Sequence, residues 1–144
     1  MKGIAILLAI TLAGAGTVET ETEAPYDEND YYILSHIISA EAGNCSEEMM
    51  IAVGSVVLNR VASDRFPDTI EEVVFQKNPL QYSPTANGTY WNEPTQGACE
   101  VAQMLLEEGS QIPADVVWQS NFPQGTETWD TMESPWGSIM YFCK

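Results

Sequence analysis

Positive charge is the scarcest property of this chain. Its 144 residues hold 5 Lys and Arg against 21 Asp and Glu, a formal net charge of −16 at pH 7. Nucleic-acid binding depends on basic side chains neutralising phosphates, so that class is excluded. Stable adhesion to an anionic membrane surface is excluded on the same ground. Histidine is nearly absent. The single His36 cannot complete a usual zinc site, and the three cysteines, Cys45, Cys99 and Cys143, form no C-x-x-C pair. No metal or cofactor site is therefore legible. A Cys–His nucleophile has no support, because nothing places His36 beside a thiol. In an oxidising compartment one disulfide can form and one thiol remains, and the sequence does not choose the pair. There is also no run long enough to cross a bilayer, which needs ~20 apolar residues.

The short apolar run that exists opens the chain. Lys2 precedes Gly3 to Ile10, and Ala13-Gly14-Ala15 has the small-x-small form that signal peptidases favour. Residues 1–15 are thus expected to be a signal peptide and the mature protein to be secreted. Residues 16–30 carry Glu19, Glu21, Glu23, Asp27, Glu28 and Asp30 without hydrophobic period, as expected of a disordered acidic leader. Residues 31–144 then form one compact domain, expected to be monomeric. Apolar residues make up 44% of the chain, enough to build its core.

Periodicity divides that domain in two. Helices are expected from about Asp30 to Ala42, Ser46 to Ala62, Asp68 to Phe75, and Pro94 or Thr95 to Gly109. Lys77 to Glu93 reads as a long loop rich in Asn, Pro and Gly, and long ordered loops in compact domains are often functional. Val116–Gln119 and Ser138–Phe142 are short β-rich runs, with Phe122–Gly137 a hairpin or loop between them. Helices first and a small antiparallel sheet last make an α+β domain. Trp118 and Trp136 are assigned to its core.

Glu41 breaks the pattern of the first helix. At 100° per residue it lies about 20° from Leu34, 40° from Ile37 and 60° from Ile38, inside the apolar stripe. A carboxylate there is either buried or set in a cleft that the stripe helps to line. Desolvation disfavours its charged form and raises its pKa, as a general acid needs. The competing reading pairs Glu41 with Arg60, on the buried face of the second helix, which would hold the acid ionised.

Several blocks carry a resemblance. Glu41-Ala42-Gly43-Asn44, Ala52 to Val61 with its Leu58-Asn59-Arg60, Phe66-Pro67-Asp68-Thr69-Ile70, Gln81-Tyr82-Ser83-Pro84, Val116-Val117-Trp118-Gln119 and Tyr141-Phe142-Cys143 follow in order. Together they resemble the spore-cortex-lytic, cell-wall hydrolase family over about Tyr32 to the C-terminus. The resemblance implies a lysozyme-related α+β fold and a peptidoglycan glycosidase whose catalytic acid is Glu41. It leaves Leu58-Asn59-Arg60 an architectural role. The chain departs at Gly43, Asn44 and Cys45, where many members carry Arg, Gly and Glu.

Ordinary glycosidases use two carboxyl groups roughly 5 to 9.5 Å apart, and no convincing second one is legible. Asp64, Asp68, Glu47 and Glu48 are explained by helix ends. The family's lytic-transglycosylase character fits this, because the muramic acid 6-hydroxyl then serves as an internal nucleophile. The substrate is expected to lie against Gln81, Tyr82, Ser83, Asn87 and Trp91 of the long loop, and Gln119 and Ser120 at the end of the first strand. For the aromatic residues core packing is the alternative, and for the polar ones turn formation. Two other functions stay open: a non-catalytic wall- or spore-coat-binding module on the same fold, and a hydrolytic muramidase or glucosaminidase.

Overall fold

The structure, a computed structural model, describes residues 24–144. The expected signal peptide and most of the expected leader lie outside the described residues. Helix α1 (Glu28–Ala42) begins two residues before the expected Asp30. The Asp27 carboxylate accepts from the backbone N–H groups of Asn29 and Asp30, at 2.8 and 3.2 Å, so it is a cap. Glu28 and Asp30 follow in the first turn, where the helix dipole favours acids. These residues belong to the fold and not to a leader.

Helix α2 (Glu47–Ala62) is capped by Ser46 and α3 (Ile70–Val74) by Thr69, one residue later than the expected Asp68. The long loop holds two short helical turns, α4 (Pro84–Asn87) and the 3-10 turn η1 (Thr89–Trp91). Thr95 caps α5 (Gln96–Glu108), which stops at Gly109. No helix among the described residues is long and apolar enough to cross a membrane.

Helices α1, α2 and α5 pack on one another around Leu34, Ile37, Ile38, Val53, Val57, Ala102 and Leu105, all buried. Gly54 of α2 marks their closest approach. A Cβ there would stand 2.7 Å from Ile38 Cδ1 and would also collide with Leu105, so only glycine lets the three helices meet.

A three-stranded antiparallel sheet completes the domain, with β1 (Trp118–Ser120), β2 (Thr128–Glu133) and β3 (Ile139–Cys143) in the order β1-β3-β2. Strand β2 runs through the segment expected to be a hairpin or loop. Its side chains are nearly all exposed, so no buried alternation reveals it. Val116 and Val117 precede β1 instead of forming it, and both are buried.

Helix α2 ties the sheet to the helices through two adjacent polar residues. Asn59 Nδ2 donates to the carbonyls of Pro113 and Val116, at 2.8 and 2.9 Å, and Arg60 Nε donates to the Val117 carbonyl at 2.7 Å. All three acceptors lie just before β1. The architectural role that the resemblance implies for Leu58-Asn59-Arg60 thus has a physical form at Asn59 and Arg60. Cys45, Cys99 and Cys143 are free thiols, Cys143 being buried beside Thr128.

Candidate active site

Between the helical half and the sheet lies a groove of about 460 Å³. Glu41 reaches it from the last turn of α1. That turn is held from behind, where Ser39 Oγ accepts from the Thr95 N–H at the start of α5, at 3.0 Å. It is also cramped: a Cβ on Gly43 would stand 2.9 Å from Ser39 Oγ, so the chain leaves the helix through glycine.

Four other segments line the groove with Glu41. The long loop contributes Leu80, Gln81 and Ser83, and the end of β1 contributes Gln119, Ser120 and Asn121. The β2–β3 turn and the start of β3 contribute Ser134, Trp136, Ser138, Ile139 and Met140, while Cys45 and Met49 come from the start of α2. Amides, hydroxyls and apolar groups dominate this surface. Among the described residues Glu41 is its one carboxylate, and no basic side chain joins it.

Burial pushes the Glu41 carboxyl up from 4.5 to about 7, against the Arg60 charge, which acts to lower it. Desolvation prevails because Arg60 does not form an ion pair with Glu41. Among the described residues the ion pairs are those of Lys144 with Asp115 and Glu127. The Arg60 guanidinium instead lies over three rings, with its Cζ 5.0 Å from the centroid of Phe66, 5.2 Å from Tyr82 and 5.6 Å from Trp118. With Nε committed to the Val117 carbonyl, the cation is held by aromatic faces and a backbone dipole. The acid therefore feels the cation without being neutralised by it.

Of the residues expected to contact substrate, the structure brings Gln81, Ser83, Gln119 and Ser120 to the groove with Glu41. Their engagement differs. Ser120 Oγ already donates to the Phe122 carbonyl, and Gln81 Nε2 makes only a 3.4 Å contact with the Pro79 carbonyl. Gln119 Oε1 is buried and has no partner.

Three expectations are corrected. Tyr82 is 1% exposed and offers no face to a sugar, because its ring is the platform under Arg60. Burial pushes its phenol up to about 12, with Arg60 lowering and Glu41 raising it, so the hydroxyl stays a neutral donor. Asn87 lies outside the groove, and its Oδ1 accepts from both the N–H and the hydroxyl of Thr89, closing a turn. Trp91 is well exposed but sits on η1, edge-on to Tyr90 and away from Glu41's groove.

The tryptophans assigned to the core are corrected as well. Trp118 is half-buried, edge-on to Phe66 in the Arg60 cage. Trp136 is 65% exposed and lines the groove. The sequence signal for Trp136 was its setting, Ser134-Pro135-Trp136-Gly137, a turn pattern that puts a large apolar residue where cores do not reach.

Comparison with known proteins gives a consistent family. Residues 44–140 match the family described as Cell Wall Hydrolase, a span that begins just after Glu41. The chain is 31% identical over 111 residues to the spore cortex-lytic enzyme of Bacillus subtilis strain 168, covering 77% of this chain and 33% of that protein. It is 34% identical over 85 residues to the spore cortex-lytic enzyme of Oceanobacillus iheyensis, covering 59% and 30%. The chain thus spans about a third of the length of the curated relatives it matches. The catalytic domain of the Bacillus cereus SleB protein superposes with a TM-score of 0.64 at 23% identity, covering 90% of this chain and all of that one. The catalytic domain of the germination-specific lytic transglycosylase SleB from Bacillus anthracis gives 0.64 at 21%, covering 85% of this chain and all of that one. At these identities the structural likeness is one of fold.

Proposed function

Starting from a chain that belongs to the cell wall hydrolase family, we propose that it cuts the glycan strand of peptidoglycan as a lytic transglycosylase, with Glu41 moving the proton. The observation that carries this reading is the single carboxylate of the groove, held near neutrality in a surface of amides and hydroxyls.

A carboxyl with a pKa of about 7 is largely protonated just below neutral pH, as a proton donor to a glycosidic oxygen must be. As the bond from C1 of muramic acid to the bridging oxygen breaks, Glu41 gives its proton to the departing sugar's 4-oxygen. The 6-hydroxyl of the same muramic acid bonds to C1, and its proton passes to the Glu41 carboxylate. The products are a free 4-hydroxyl and a 1,6-anhydromuramic end. Glu41 recovers its proton, and no water enters the balance. The tethered hydroxyl supplies the effective molarity that a second carboxylate and a water would otherwise provide. The caged Arg60 stabilises the transient carboxylate without holding it permanently ionised.

Gln81, Ser83, Gln119 and Ser120 are read as hydrogen-bonding the acetamido and hydroxyl groups of the strand, a reading supported by their lining the groove with Glu41. The protein is read as a secreted monomer acting outside the cytoplasm, exported by residues 1–15. The test is digestion of purified wall by wild type and Glu41→Gln, with mass analysis of the released fragments. Anhydromuramic ends from the wild type and none from the variant are expected. Reducing, hydrated muramic ends would refute the internal nucleophile, and undiminished release by Glu41→Gln would refute the acid.

A further inference from the structure

Trp136 is the largest side chain of the groove and one of the most exposed. Two-thirds of a large indole faces water, which the hydrophobic effect disfavours unless something covers it. The backbone beneath it is fixed. Ser134, Pro135, Trp136 and Gly137 occupy the four positions of a tight turn, closed by the Gly137 N–H donating to the Ser134 carbonyl at 3.0 Å. The Ser134 N–H donates to the Ser138 carbonyl at 2.8 Å, and the Ser138 N–H donates to Ser134 Oγ at 3.0 Å. Proline fixes φ at the second position, and Gly137, at φ +87°, takes the left-handed conformation that a side chain would resist. Ser134 itself is buried. An indole carried on so constrained a turn loses little freedom on binding a ligand.

Its neighbours in the groove give it a function. Leu80 and Ile139 are also exposed and line the same groove, making an apolar lip with Trp136.

Resting on the glycan reading above, we infer that Trp136 is the stacking platform for a pyranose ring of the strand that Glu41 cuts. The ring's C–H face covers the indole, and its hydroxyls stay in water at the groove's edge. The platform is a positioning element: it holds the strand in register while Glu41 acts, and it exchanges no proton.

The test is calorimetric titration of peptidoglycan glycan strands, stripped of their stem peptides, into Glu41→Gln protein. Adding Trp136→Ala is expected to weaken binding about tenfold, equivalent to ~1.4 kcal/mol. Trp136→Tyr, which keeps a flat ring, should stay within about threefold of the parent. Trp129→Ala alters another exposed indole on the same hairpin, outside this groove, and should leave affinity unchanged. With Glu41 intact, Trp136→Ala should raise KM about tenfold and change kcat by less than about twofold, as expected for binding lost equally from ground and transition states. Equal affinity of Trp136→Ala and its parent overturns the platform while leaving Glu41-dependent cleavage untouched. Equal losses in Trp136→Ala and Trp129→Ala overturn it too. Undiminished cleavage by Glu41→Gln overturns the acid and leaves the Trp136 titration standing.

Discussion

Replacing Glu41 by Gln should make this protein more stable, and by an amount that depends on pH in a defined way. Burial raises the carboxyl from 4.5 to about 7. The folded protein therefore binds this proton more tightly than the unfolded chain does. Stability from this group is fully present below pH 4.5 and is lost as pH rises to about 7, the reverse of an ion-paired carboxylate. A tenfold change in proton affinity corresponds to ~1.4 kcal/mol, so the loss across that window is about 3 kcal/mol. Glutamine has the same shape and no charge to desolvate, so Glu41→Gln escapes the loss. Urea unfolding of both proteins from pH 4 to pH 8, followed by far-ultraviolet circular dichroism, measures the difference. The other acids titrate alike in the two proteins and cancel. The stability gap should widen in favour of the variant by about 3 kcal/mol, or about 10 °C in melting temperature for a domain of this size. A gap that stays constant within about 0.5 kcal/mol would refute the raised pKa, and with it the proton donor.

Two further outcomes follow from Arg60 and Asn59. Arg60→Met removes the charge that lowers the Glu41 pKa, so the alkaline limb of kcat/KM, expected at about 7 in the wild type if Glu41 is the acid, should move to higher pH. The same change forfeits the bond to the Val117 carbonyl and the three ring contacts, costing about 2 kcal/mol in urea unfolding. An unmoved limb would show that the cation does not reach the acid. Asn59→Ala strands the Val116 carbonyl and leaves that of Pro113 with the Val116 N–H alone, and should cost about 1–2 kcal/mol by the same measurement. A cost below about 0.5 kcal/mol would mean that water satisfies the Val116 carbonyl.

The helical half of the fold was legible because its information is local. Caps at Ser46 and Thr95, apolar residues every third or fourth position, and Gly43 and Gly109 after the last turns mark α1, α2 and α5 within a residue or two at most of their ends. Glu41 was legible for the same reason, being an acid at an apolar position of a helix. Strand β2 was not. Its pairing with β3 is set by backbone hydrogen bonds, and side chains such as Thr128, Asp130 and Glu133 face water. Tyr82 and Trp136 exchanged expected roles because burial of an aromatic depends on contacts distant in sequence. Arg60 of α2 draws Tyr82 under its guanidinium, while a tight turn keeps Trp136 off the core. Asn87 and Trp91 share a loop with Gln81 but turn from the groove through α4 and η1, short elements that no periodicity announces.

The joint made by Asn59 and Arg60 sets where this molecule is vulnerable. Two neighbouring side chains fasten the segment leading into β1, and with it the part of the groove that holds Gln119, to the helix behind Glu41. Agents that loosen polar contacts at that seam let the sheet drift from the helices while α1, α2 and α5 remain packed. A drift of about 1 Å already misplaces a bound strand relative to its proton donor. Cutting power should therefore fade under milder stress than melts the helices, making the seam a tighter limit on working conditions than the melting point.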